Sequence, residues 1–288
     1  MTDLASGDLA SGKGHRDENF PVASWLVRAD ARGPVMAFYR FARGADDVAD
    51  HPRVDAGEKL RRLGAMRAGL EGGEAGEGEA AARDLAAVCR ARGITLAHAY
   101  DLLDAFEQDC RVSRYQDWDG LMAYCRLSAA PVGRFVLDVH GEDRQLWAMS
   151  DALCAALQII NHLQDCGKDY RAMDRVYIPI PMLDDAGVAV EDLGASRASP
   201  GLRGVVADLV GRCEGLLRAS APFANAIADV RLGMEVAVIH ALAVDLCAVL
   251  RAGDPLAGGV HHGRGRAVGL ALRAAMRQGL RRVLRMGR

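Results

Sequence analysis

Residues 158–169 read Q-I-I-N-H-L-Q-D-C-G-K-D, and residues 38–50 read F-Y-R-F-A-R-G-A-D-D-V-A-D. Each stretch lies in an apolar pattern with a period near 3.6, so each reads as helix. Each also carries two aspartates at i, i+4: Asp46 with Asp50, and Asp165 with Asp169. That spacing sets both carboxylates on one helix face, roughly 6 Å apart along the axis. Like charges so placed destabilise a helix unless a cation lies between them. A solvated acidic face would account for either stretch alone. The same geometry occurring twice favours two faces turned towards each other, caging Mg²⁺ and a polyphosphate. Mg²⁺ takes oxygen ligands and is usually held by one or two carboxylates plus substrate phosphate.

The neighbours of the aspartates add to this. Gln158 and Asn161 fall on the same face as Asp165 and Asp169. Asp47 is turned about 100° from Asp46, which suits a supporting or solvent contact as well as ligation. Arg43 lies one turn before Asp46. A guanidinium there fits a diphosphate clamp, or an ion pair with Asp46 or Asp47. Lys168, Arg171 and Arg175 follow the second cluster and suit either phosphate or solvent.

The rest of the 288-residue chain keeps the helical period from about Phe20 onward. The pattern predicts helices over 20–29, 33–50, 55–70, 79–92, 95–111, 117–138, 143–168, 201–219, 221–251 and 265–285, with no strands. Breaks fall at Gly33-Pro34, His51-Pro52, the acidic glycine-rich run 71–79, Arg92-Gly93, Gly141 and the proline-bearing stretch 177–200. Pro131 predicts a kink. The small residues Ser128, Ala129, Ala130 and Gly133 would admit a second helix or a ligand at close range. Residues 1–14 read as a flexible leader, followed by one all-α domain over 15–288.

Net charge is −2, which argues against nucleic acid as a partner. The seven cysteines form no C-x-x-C pair and suit buried thiols in a reducing cytoplasm. No signal-peptide core and no uncharged run of 18 apolar residues is present, so no transmembrane helix is expected. Di-iron, zinc-protease and Rossmann motifs are missing, and the eight histidines are scattered. Residues 265–288 form a basic amphipathic segment. It fits peripheral contact with an anionic bilayer, or an ordinary surface helix.

Four blocks in order, 38–50, Y-C-R-L-S-A-A-P-V-G (124–133), 158–169 and R-V-Y-I-P (175–179), resemble the squalene/phytoene synthase family. The resemblance implies an all-α isoprenoid synthase fold around a central cavity. It implies Asp46, Asp50, Asp165 and Asp169 as catalytic metal-binding residues, with Asn161 as a further ligand and Gln158 in support. Two or three Mg²⁺ ions, an isoprenoid diphosphate substrate and no NADPH go with it. Arg43, Lys168 and Arg175 look like diphosphate contacts. Tyr39 and Tyr124 look like pocket residues near the reacting carbons, and His15 like a residue closing over the diphosphate.

Residues 15–24, H-R-D-E-N-F-P-V-A-S, and Gln164 are similar to a branch of the family acting in bacterial hopanoid biosynthesis. That branch converts presqualene diphosphate and water to hydroxysqualene, in functional coupling with other squalene-pathway enzymes. The alternatives are a condensing enzyme making presqualene diphosphate or phytoene, and a non-catalytic assembly factor of the same fold. The family's C-terminal tyrosine and arginine have no clear counterpart here; His240 and Arg251 are candidate stand-ins.

Overall fold

A proline inside the first helix illustrates how the chain settles its local conflicts. Helix α1 (Ala29–Ala49) contains Pro34, which cannot donate to the carbonyl four residues earlier. That carbonyl, on Asp30, instead accepts from Arg92 Nη2 at 2.5 Å. The helix ends where Pro52 restricts His51, and Asp50 forms the C-cap. The computed structural model describes residues 28–72 and 80–286. The predicted leader, His15 and the predicted helix 20–29 lie almost wholly outside the described residues.

The remaining helices are α2 (Ala56–Glu71), α3 (Ala80–Arg92), α4 (Ala97–Asp109), α5 (Trp118–Ser128), α6 (Ala130–His140), α7 (Trp147–Met173), α8 (Ile180–Asp185), α9 (Pro200–Ser220), α10 (Phe223–Ala226), α11 (Val230–Ala252) and α12 (Arg264–Met286). The fold is all-α, as expected, with no strand among the described residues. Side-chain oxygens cap the starts of α2, α5, α9 and α11. Asp55 accepts from the Glu58 amide, Asp117 from Gly120, Ser199 from Leu202 and Asp229 from Leu232.

Two predicted helices divide. Residues 117–138 split at Ala129, because Pro131 occupies the first turn of α6, where its missing N–H costs nothing. The expected kink is a break. Residues 221–251 split before Asp229, which caps α11. Short helical turns also occupy part of the stretch 177–200.

Two apolar clusters build the core. One joins α1–α4 through Phe38, Phe41, Leu63, Leu85 and Leu103, and reaches Phe135 of α6. Phe38 stacks on Phe135 at 4.1 Å. The other joins α5, α7, α9 and α11 through residues such as Ile159, Leu163, Leu209 and Leu246. Helix α6 serves both. A Cβ on its Gly133 would fall 2.3 Å from Ser150 Oγ, so the small residue admits α7. The first aspartate cluster rides on one core and the second on the other, so the site lies where the two meet. Helix α11 is long and apolar enough to span a membrane by length and composition, but it packs against α7, α9 and α12.

Candidate active site

Asp46 lies in the last turn of α1 and Asp50 caps it, while Asp165 and Asp169 lie in the last turns of α7. The structure brings the two clusters together. Burial raises the Asp169 carboxyl to about 7, with Asp165 and also Asp50 of the other cluster pushing the same way. Burial likewise raises Asp46 to about 7; Asp50 adds to the rise and Arg43 opposes it. Such carboxylates repel one another and hold protons they would release in water. They form an oxygen-only donor set short of positive charge.

Among the described residues, no three His, Cys, Asp or Glu side chains stand close enough to hold a metal by themselves. A hard divalent ion would therefore be shared with phosphate oxygens and water, which is the usual way Mg²⁺ is held. The donor set fits Mg²⁺ on those terms.

The basic residues are more committed than their spacing suggested. Arg43 Nη1 lies 3.0 Å from Asp46 and Nη2 2.6 Å from Asp47, so in this state it takes the ion-pair role. Lys168 is exposed, 3.6 Å from Asp165. Arg175, expected to be a diphosphate contact, is buried at 7% exposure. It bonds Asp50 Oδ1 (2.7 Å), Tyr177 Oη (3.3 Å) and the Asp109 carbonyl (3.3 Å). Burial disfavours its charge, but Tyr177, Asp109 and Asp50 more than compensate. In this state it pairs with Asp50, because the chain turns inward at Asp174 as it leaves α7.

Tyr124 is buried and donates to Asp109 Oδ2 at 2.8 Å. Its ring packs with Tyr115 and Tyr177. Burial raises the Asp109 carboxyl to about 6, with Arg175 and the Tyr124 hydroxyl opposing. His162 stacks on Tyr177 at 3.4 Å. Burial, then Arg175, pushes His162 down to about 3, so it is neutral. Tyr39, Gln158 and Asn161 are half-buried. A polar cavity of about 600 Å³ adjoins Asp50, Asp109, Lys59 and Arg175.

Sequence reasoning missed Asp109, Tyr115 and His162, and did not single out Tyr177 within block 175–179. No local pattern marks Asp109, which closes α4 and meets its partners only through the fold. The proposed stand-ins face elsewhere: His240 bonds the Leu217 carbonyl, and Arg251 pairs with Glu214, both on α9.

The squalene/phytoene synthase family matches residues 14–275. The chain is 50% identical over 272 residues to the hydroxysqualene synthase of Zymomonas mobilis, covering 94% of this chain and 92% of that one. It is also 50% identical over 257 residues to the hydroxysqualene synthase of Rhodopseudomonas palustris, covering 89% and 87%. Among solved structures, the squalene synthase HpnC from Alicyclobacillus acidocaldarius superposes with a TM-score of 0.70 at 31% identity, covering 80% of this chain and 87% of that one.

Proposed function

The chain belongs to the squalene/phytoene synthase family, and from that premise we propose that this enzyme converts presqualene diphosphate and water to hydroxysqualene and diphosphate. The observation that carries the reading is the 50% identity to a hydroxysqualene synthase over nearly the whole of both chains. One all-α domain over 15–288 does the work. Seven unpaired cysteines support a cytoplasmic setting.

In this reading Asp46, Asp50, Asn161, Asp165 and Asp169 hold Mg²⁺. When bound, Mg²⁺ supplies neutralisation of the charge that develops on the departing diphosphate. Arg175 fixes Asp50, and Arg43 orients Asp46 and Asp47. Lys168, with its exposed ammonium, is the residue best placed to meet phosphate. The buried aromatic cluster at Tyr115, Tyr124 and Tyr177 gives a carbocation π-faces and few nucleophiles. One carbon–oxygen bond to diphosphate breaks and one to water forms; the water gives up a proton. The carbon skeleton is not reduced, so no NADPH is consumed. A separate condensing enzyme must supply the presqualene diphosphate.

The test gives purified protein Mg²⁺ and presqualene diphosphate in ¹⁸O-labelled water, without NADPH. Hydroxysqualene carrying one ¹⁸O is the expected product, and farnesyl diphosphate alone should give none. Presqualene diphosphate or phytoene formed from prenyl diphosphates would show a condensing enzyme instead. No diphosphate release from any of these substrates would show an assembly factor.

A further inference from the structure

Helix α12 carries five large apolar side chains on the outside. Val268, Leu272, Met276, Leu280 and Leu284 recur every four residues, with exposures of 58%, 58%, 66%, 62% and 63%. At 3.6 residues per turn this row drifts by only about 40° per step, so it forms one continuous band. A second row, Arg273, Arg277 and Arg281, runs beside it. Each arginine lies three residues before a band residue, about 60° round the helix. All three are exposed and none has an ion pair among the described residues. They border a cavity of about 280 Å³ with Ser220, Asn225 and His240.

The helix is fixed in this orientation. At its start Arg266 pairs with Asp245 at 2.6 Å. On its inner face buried Gln278 donates to the Ala224 carbonyl at 2.9 Å, and Arg282 donates to the carbonyls of Ala224 and Ile227. A Cβ on Gly233 would lie 2.6 Å from Arg282 Nη2, so that glycine makes room for the anchor.

We infer that α12 is an interfacial helix that docks the enzyme on an anionic bilayer, its apolar band entering the headgroup region and Arg273, Arg277 and Arg281 facing lipid phosphates. An exposed band of this size on a soluble surface marks an interaction site. A row of cations along an apolar face matches a negatively charged lipid surface. A second copy of this chain is the poorer partner: pairing the bands would bring the arginine rows together, and no acid follows Asp254 in the chain to neutralise them. The inference rests on this surface alone and not on the reaction proposed above.

The experiment is co-sedimentation of the full-length protein with vesicles. Phosphatidylcholine vesicles containing phosphatidylglycerol should bind it at least about tenfold more tightly than phosphatidylcholine alone, and added salt should weaken the binding. Leu272→Glu with Leu280→Glu, and separately Arg273→Glu with Arg277→Glu, should each cut binding about tenfold or more. Both variants should keep wild-type melting and turnover in detergent. Wild-type protein left in the supernatant with the anionic vesicles would overturn the inference, as would undiminished binding by the Leu272/Leu280 variant. A wild-type dimer that this variant makes monomeric would assign the band to a second copy instead, and equally overturn it.

Discussion

Arg175 Nη1 lies 2.7 Å from Asp50 Oδ1, tying the end of α1 to the chain leaving α7. Through this contact one buried guanidinium holds the two helix ends that carry the carboxylates. Its flat donor fork serves Asp50, Tyr177 and the Asp109 carbonyl together, which a lysine ammonium could not match.

Arg175→Met should therefore lower stability by about 2 kcal/mol. Loss of a fully buried pair costs more, but Asp50 remains 37% exposed and water tempers the effect. Urea unfolding measures the change. A variant with the wild-type midpoint would mean that the contact contributes nothing.

Asp50→Ala or Asp165→Ala should reduce turnover of presqualene diphosphate by at least about a hundredfold. Circular dichroism should remain that of the wild type, since both side chains are more than a third exposed. Near-normal turnover in either variant would remove that residue from the metal site.

The pH dependence of stability follows from Asp46 and Asp169, both held near 7 against an ordinary 3.8. Between about pH 4 and 7 the folded protein keeps protons that the unfolded chain has released. Metal-free stability should therefore fall as pH rises through that window. Added Mg²⁺ with diphosphate should raise the melting temperature more at pH 8 than at pH 5, because binding needs the ionised carboxylates. Equal stabilisation at both pH values would count against these carboxylates as ligands.

Gln164 offers a different test. It is buried, 2.6 Å from the Val260 carbonyl and 3.1 Å from His261 Nδ1, and so ties α7 to the loop before α12. Gln164→Arg should destabilise the protein by about 2 kcal/mol through a crowded, poorly paired cation, without creating condensing activity. Formation of presqualene diphosphate from farnesyl diphosphate by this variant would show that the residue selects the reaction.

The legible parts of the chain were those whose signal is local. The i, i+4 aspartates, the long apolar periods and the glycine and proline breaks predicted nine helices among the described residues, seven of them close to their observed places and two that divide. Pro131 was read as a kink because the sequence alone does not show that Ala129 ends one helix so that the next can begin on the proline. The acidic pairs announced themselves by spacing. Asp109 did not, because its meaning depends on Tyr124 and Arg175, which are distant in sequence. The burial of Arg175 was hidden for the same reason: a basic residue after an acidic cluster looks solvated until the turn at Asp174 sends it inward.

The anchoring of α12 through Gly233, Gln278 and Arg282 bears on how docking would proceed. Many membrane-seeking segments are coils that become helical only on contact, and the ordering cost is deducted from their affinity. Here the helix is already wound and held against the body of the protein, so that deduction was settled when the chain folded. Adding anionic vesicles should leave the far-ultraviolet circular dichroism unchanged. The whole enzyme would then meet the bilayer as a rigid body, its angle of approach inherited from the interior packing of α11.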